Sequence, residues 1–409
     1  MAKVVFFNMP GATGHINPTL GWVEELISRG EQVIYYAGED SRHKLSRLGA
    51  EYRTYDSWFD YSHSADGSTE LIPMALIQLR LAEACCEGLI AELREESPDY
   101  IIYDSCCIWG KYIAEALGIP AINSLTTLVS SPYVLISDYR LGAHIVKELL
   151  LGVGKVFSAR KRLIKLFKKI GVRYRGLIYH VFDIFANVGD LNIVFNTKQY
   201  QPFVNQIKGN FKYVGASVPE NRDAVSEQFN ISDNNPLVYI SLGTVNNTNL
   251  NFFKNCVQAF SNKPYDVIMS VGESSRIQEL GPLPNNIQAY AHVPQLHLLK
   301  HASAFITHGG MNSLNEGLYY GVPLVIYPQQ VEQAFNGRRF QKMGLAKLLG
   351  SESPSAKDLY DAVVFVIEDP AMKGRAKAYG DVLKTAGGVV TAADEVLDYP
   401  FKKKRLASA

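Results

Sequence analysis

The sequence predicts an α/β protein made of two parallel-sheet halves, and three observations carry that prediction. Short apolar runs alternate with longer stretches of helical period. The alternation breaks at a polar segment near the middle and then restarts. The length, 409 residues, suits two domains of about 200 residues better than one core.

In the first half, "KVVFFN", "EQVIYYA", "DYIIYD" and "PAINS" read as strands, followed by "DLNIVFN" and "FKYVG". Each is brief, rich in β-branched or aromatic residues, and ended by a polar or small residue, as strands covered on both faces are. Between the first two lies "PTLGWVEELISRG". Here Leu20, Val23, Leu26 and Ile27 share a helical face, Arg29 sits in the last turn and Gly30 supplies the stop. Strand, glycine loop, helix and strand make a βαβ unit, and its repetition implies a parallel sheet. Residues 216–236, "ASVPENRDAVSEQFNISDNNP", have the composition of a linker. A second strand series follows: "PLVYISLG", "YDVIMSVG", "NIQAYAHV", "SAFITHGG" and "VPLVIYP". The expected division is 1–220, 221–385 and a C-terminal tail, 386–409.

Composition narrows the function. Hydrophobic content of 47% and charged content of 20% are those of a soluble globular protein, and a net charge of +1 argues against nucleic acid as the main partner. No apolar run approaches the ~18 residues of a membrane span. The opening run, ended by Asn8, is too short for a signal peptide, so a cytoplasmic location is expected. The five cysteines lack C-x-x-C spacing and are expected to be reduced, space-filling thiols with no bound metal. One stretch departs from the pattern: "KVFSARKRLIKLFKKIGVRYR", 155–175, carries only basic charges, interleaved with Phe157, Leu163, Ile164, Leu166, Phe167 and Ile170. It reads either as a solvated helix with a core-facing stripe or as a surface for anionic lipid headgroups or an acidic acceptor.

The first loop, "GATGHINP", turns on Gly11 and Gly14 but lacks the G-x-G-x-x-G of a dinucleotide site, although Glu39 and Asp40 could imitate the acidic ribose contact. It offers His15 at the C-terminal end of a parallel strand, where open α/β sheets place their ligands. Asp104 ends another strand on the same edge. An imidazole with a carboxylate to orient it suits a general base; the bland alternative is a pair of helix caps. No G-x-S-x-G accompanies them, which disfavours a hydrolase triad.

In the second half, Gly243 with Thr244, and Ser270 with Gly272, end strands in small turns suited to a phosphate. His292, Val293 and Gln295 offer a ring, a backbone and an amide for a base edge. His308, beside Gly309 and Gly310, precedes an expected helix start at Asn312 and Ser313, an anion site. Glu316, one turn along, can accept from a ribose diol, and Glu332 with Gln333 can bond sugar hydroxyls. Together these describe a nucleotide, a diphosphate and a sugar laid along consecutive strand ends.

The segment "HVPQ…THGGMNSLNEGLYYGVPLVIYPQQVEQ" resembles the nucleotide-sugar signature of the family 1 UDP-glycosyltransferases, and "GHINP" is similar to their N-terminal catalytic loop. The likeness is greatest to the bacterial macrolide and flavonoid glycosyltransferases and runs from the first strand to about residue 385. It implies the GT-B fold, two Rossmann-like domains facing across a cleft, and an inverting, metal-independent transfer. It implies His15 as the base supported by Asp104; Thr244, His308, Asn312 and Ser313 on the diphosphate; Val293 and Gln295 on the nucleotide base; Glu316 on ribose; and Glu332 with Gln333 on the sugar. Gly14, Asn17, Ser270, His292 and Gly310 complete the expected donor contacts. Plant members carry tryptophan at the positions of His292 and Met311, and many relatives carry aspartate at Glu332. These departures keep UDP as the nucleotide and make tolerance of TDP-sugars an expectation. The implied reaction moves a hexose, glucose foremost, to a hydroxyl of an apolar small molecule. The acceptor site is expected near Trp58–Phe59, 72–79, 126–133 and the basic stretch. A membrane-lipid acceptor, a nucleotide-sugar epimerase, a nicotinamide oxidoreductase and a non-catalytic sensor are the other classes the residues leave open.

Overall fold

The computed structural model describes residues 2–59, 71–176, 186–219, 229, 231, 232, 234–243 and 249–400. It forms two compact units, one from the described residues of 1–217 and 387–409, the other from those of 218–386.

The first unit is built on strands β1 (Lys3–Phe7), β2 (Gln32–Tyr36), β3 (Glu51–Arg53), β4 (Tyr100–Asp104), β5 (Ala121–Leu125), β6 (Leu191–Val194) and β7 (Phe211–Tyr213), ordered β3-β2-β1-β4-β5-β6-β7. All its pairings are parallel. Alternate side chains divide between two layers. Val4 and Phe6 pack with Ile16, Trp22, Val23 and Leu26 of helix α1 (Thr13–Ser28). Val5 and Phe7 face the other way, toward α2 (Leu71–Glu96), α3 (Ile108–Leu117) and α4 (Tyr139–Ile170). Helix α3 lies directly on β4 because Gly110 has no side chain there. A Cβ at that position would stand 2.5 Å from Cβ of Tyr103.

Helix α1 begins at Thr13, five residues before Pro18, where the sequence suggests its start. Proline removes one helical N–H without ending the helix here. His15 therefore stands in the first turn of a helix instead of in a loop. Edge strands β3 ("EYR") and β13 (Ala346–Leu348), in the second unit, are three residues long and carry no apolar run, so periodicity does not reveal them.

Residues 155–170 of the basic stretch are the C-terminal half of α4, and 171–175 follow the helix. Leu163, Leu166, Phe167 and Ile170 are buried in the core, so the core-facing stripe is present, while Ile164 is exposed and the side chain of Phe157 lies outside the described ones. Arg162 forks onto Glu83 of α2 at 2.8 and 3.0 Å, and Lys169 pairs with Glu87. Nearer its start the same helix exposes Tyr139, Val146, Leu150 and Leu151.

The second unit orders β8 (Leu237–Ser241), β9 (Asp266–Ser270), β10 (Ile287–Tyr290), β11 (Ala302–Thr307), β12 (Leu324–Ile326) and β13 (Ala346–Leu348) as β10-β9-β8-β11-β12-β13, again all parallel. Helix α5 (Leu250–Phe260) buries Phe252, Phe253 and Phe260 on the face of Val238, Ile240 and Ile306. After the short α6 (Gln295–Leu299), helix α7 (Met311–Tyr319) takes the opposite face, with Gly317 against Phe305 and Leu324. Helix α8 (Val331–Lys342) follows β12.

Where the sequence suggests only a tail, the chain forms α9 (Gly388–Leu397) on the first unit. Ala392, Ala393 and Val396 join the layer of α1, the Gly388 N–H donates to the Val214 carbonyl at 2.7 Å, and Arg29 pairs with Asp394. Among the described residues no helix is long and apolar enough to cross a membrane.

Candidate active site

In an open parallel sheet, a crevice forms where neighbouring strands send their following helices to opposite faces. In the first unit this happens between β1 and β4: α1 leaves to one layer and α3 to the other. His15 and Asp104 sit at that point. His15 Nδ1 lies 2.9 Å from Asp104 Oδ2, and the other oxygen, Oδ1, accepts the Cys106 N–H at 2.8 Å. Asp104 is fully buried, while His15 keeps about a quarter of its side chain exposed (27%). A carboxylate oxygen only accepts, so Nδ1 carries the ring hydrogen and Nε2 is left with its lone pair. Thr126 Oγ1, buried, stands 3.5 Å from the same Nδ1.

The second unit repeats the device between β8 and β11. Their C-terminal residues stand in one row across the sheet: Tyr290, Ser270, Ser241, Thr307 and Ile326 are successive register partners. The described loops of this unit that carry expected donor residues follow that row. Gly243, two residues past the end of β8, has φ at +78°, a conformation that favours glycine, and the His308 ring fills the space where its side chain would be. A Cβ on Gly243 would meet the ring at 2.6 Å, and one on Gly310 at 2.4 Å. This close backbone on both sides desolvates His308 and lowers its pKa to about 4, although the ring retains some exposure. At neutral pH His308 is thus uncharged and offers an N–H, not a cation. Its Nδ1 is buried with no hydrogen-bond partner among the described residues.

Helix α7 starts immediately beyond, with Gly310 as its N-cap, no side-chain cap and no acidic residue in its first turn. The first turn of such a helix directs backbone N–H groups toward an anion, and Ser313 lies in that turn. Further in, a chain of hydrogen bonds runs from the Tyr239 hydroxyl to Gln295 Oε1 at 3.1 Å and from Gln295 Nε2 to Glu316 Oε2 at 2.6 Å. The base-reading and ribose-binding candidates are therefore bonded to each other. Val293 is partly buried, His292 is exposed, and Ser270 Oγ donates to the Ala291 carbonyl at 3.4 Å.

Other expected residues fall differently. Glu332 is exposed in the first turn of α8, but Gln333 is buried and its Oε1 accepts the Gln329 N–H at 2.9 Å, so it shapes the loop. Gly14 and Asn17 belong to α1 of the first unit, where Asn17 Oδ1 accepts from Lys44 Nζ at 3.2 Å. Thr244 lies outside the described residues. Met311, at the tryptophan position of plant members, is buried. Of the stretches expected around an acceptor, Ile72 and Leu79 are buried, Trp58 and Phe59 pack partly buried on the core, and Tyr133 is exposed.

Sequence reasoning passes over Asn336 and Gln329. Asn336 is fully buried; its Nδ2 donates to the Gly309 carbonyl at 2.9 Å and lies 3.4 Å from Glu332 Oε1, tying α8 to the turn that carries His308. Gln329 presents a buried Nε2 with no hydrogen-bond partner among the described residues. The i, i+4 spacing of Glu332 and Asn336 is the only sequence signal for the first, and none marks the second.

The chain has relatives among known proteins. Residues 189–382 match the family described as UDP-glucoronosyl and UDP-glucosyl transferase. The chain is 32% identical to the uncharacterized UDP-glucosyltransferase YojK of Bacillus subtilis over 413 aligned positions, covering 100% of both chains. It is 26% identical to the oleandomycin glycosyltransferase of Streptomyces antibioticus, covering 99% of this chain and 92% of that one. Among solved structures it is similar to the calicheamicin glycosyltransferase CalG4, with a TM-score of 0.81, 26% identity and 97% of each chain covered. With this likeness the two parallel-sheet units are those of the GT-B fold.

The state of His308 has a measurable consequence. Unfolded histidine takes up a proton near pH 6.5, whereas folded His308 does so only near pH 4. Protonation in that interval favours the unfolded chain, so this contribution to stability is complete above pH 6.5 and declines as the pH falls toward 4. Urea unfolding at pH 7 and pH 4.5 should show His308→Gln losing about 2–3 kcal/mol less than wild type over that step. Equal losses would mean that His308 is not desolvated.

Proposed function

We propose that this chain, which belongs to the UDP-glucoronosyl and UDP-glucosyl transferase family and is a UDP-dependent glycosyltransferase, moves glucose from UDP-glucose to a hydroxyl of an apolar polyketide, macrolide or polyphenol, with inversion. The observation that carries the reading is the His15–Asp104 pair at the β1/β4 switch point, with Nε2 left to take a proton. The acceptor oxygen attacks the anomeric carbon from the face opposite the diphosphate. As the new C–O bond forms, the bond to the diphosphate oxygen breaks and takes its electron pair with it. The hydroxyl proton passes to His15 Nε2, and buried Asp104 holds the ring tautomer and stabilises the imidazolium.

The second unit serves the donor in this reading. The Gly243 turn, neutral His308 and the N–H groups of Asn312 and Ser313 meet the negative charge that grows on the leaving diphosphate. Gln295 and Glu316, already bonded, take the base and the ribose; Glu332 and the Gln329 amide take sugar hydroxyls. Exposed His292 in place of a tryptophan leaves room for thymine as well as uracil, so TDP-sugars are secondary donors. The acceptor class is supported by the names of the oleandomycin and calicheamicin relatives.

The reading is tested by UDP release from UDP-glucose, with and without flavonoid and macrolide acceptors. Release should require acceptor, yield the β-glycoside from the α-linked donor, and fall at least about a hundredfold in His15→Ala and in Asp104→Asn. Near-normal turnover in His15→Ala would remove the base. Conversion of the donor sugar without acceptor would favour an epimerase.

A second feature bears on where the acceptor is met. The solvent side of α4 joins exposed Tyr139, Val146, Leu150 and Leu151 to exposed Lys155, Arg160, Lys161, Lys165 and Lys168, and Ile136 is exposed just before it. An apolar stretch continuing into cations complements an anionic lipid surface. The protein should sediment with phosphatidylglycerol vesicles and not with phosphatidylcholine ones. Leu150→Glu with Lys161→Glu and Lys165→Glu should abolish this. Equal recovery with both vesicle types, or none with either, would contradict it.

A further inference from the structure

The β1/β4 switch point gathers a third side chain that the transfer reaction does not use. Cys106 lies two residues past the end of β4, and its N–H is anchored to Asp104 Oδ1 at 2.8 Å. One ligand atom each from His15, Asp104 and Cys106 falls within 4.8 Å of the others. Among the cysteines, Cys85, Cys86, Cys107 and Cys256 are buried, whereas Cys106 is only partly so. A nitrogen, a carboxylate oxygen and a sulfur are a donor set that zinc accepts. In a tetrahedral site with bonds of about 2.0–2.3 Å, ligand atoms stand about 3.3–3.8 Å apart. To reach those spacings from atoms within 4.8 Å of one another, the 2.9 Å His15–Asp104 contact has to open slightly as the ion enters.

We propose that His15 Nδ1, Asp104 and the Cys106 thiolate form a binding site for a zinc-class divalent cation, and that its occupation switches the transferase off. Two anionic ligands neutralise the ion, and a water completes its coordination. On binding, the Cys106 thiol releases its proton to solvent and the ring hydrogen moves from Nδ1 to Nε2, so one proton leaves per ion. With Nε2 protonated and Nδ1 on the metal, the ring has no lone pair for the acceptor hydroxyl. The site itself rests on the geometry of three side chains; the inhibition rests on His15 being the base.

The full chain titrated with cobalt(II) should develop a thiolate-to-metal charge-transfer absorption that zinc bleaches. The absorption should be missing in Cys106→Ser. Zinc affinity, read by competition with a chromogenic chelator, should fall at least about tenfold in both Cys106→Ser and His15→Ala, a loss that removal of even an indirect partner of a metal ligand can cause. Zinc should suppress transfer in wild type at concentrations that leave Cys106→Ser active, and the metal-free turnover of Cys106→Ser should stay within about twofold of wild type, since its thiol takes no part in the proton transfer. No charge-transfer band in wild type, or the same band in Cys106→Ser, would overturn the site. Binding as described with undiminished transfer would leave the site standing and take the base away from His15.

Discussion

Each half of this protein depends on one constraint of parallel sheets: a right-handed crossover must send its helix to one face or the other. Beside β1 the choice changes between α1 and α3, and beside β8 it changes between α5 and α7. The loops that leave at those two points cannot be covered by a helix, so polar groups stay accessible at the end of an otherwise apolar sheet. His15 with Asp104 occupies the first such point, and Gly243 with His308 occupies the second.

The two points are chemically unlike. In the first, a carboxylate is removed from water altogether, and its two oxygens are satisfied by a ring N–H and a backbone N–H. Such a carboxylate fixes the ring's orientation and tautomer, which suits proton transfer. In the second, close backbone on both sides of His308 drives its pKa to about 4, and the donors that remain are uncharged. A site made of neutral N–H groups at a helix N-terminus suits an anion that must leave again after each turnover, because no fixed positive charge holds it back.

How much of this was legible in the sequence varies with the range of the interaction. Strand ends were legible: buried parallel strands are short apolar runs, and Asp104, Ser270 and Thr307 close theirs as the runs suggest. The three-residue edge strands β3 and β13 are not, since neither carries an apolar run, whereas β7, equally short and at an edge, is announced by "FKYVG". Pro18 reads as a helix start, whereas α1 begins at Thr13 and tolerates the proline five residues in. Asn336, Gln329 and Cys106 acquire their places only through folding: their neighbours are Gly309, Gln333 and His15, far apart or unremarkable in the chain. The terminal helix α9 shows little signal in the sequence because the residues it buries in the layer of α1, Ala392, Ala393 and Val396, are small.

In the proposed reaction the labour is divided, with acceptor activation in the first unit and donor retention in the second. The UDP dissociation constant, measured calorimetrically for wild type, His15→Ala and Gly243→Ala, tests it most directly. The account predicts that His15→Ala binds UDP within about twofold of wild type, while Gly243→Ala, which drives a Cβ into the His308 ring from a left-handed backbone, binds it at least about tenfold more weakly. Loss of UDP binding in His15→Ala as great as in Gly243→Ala would contradict it.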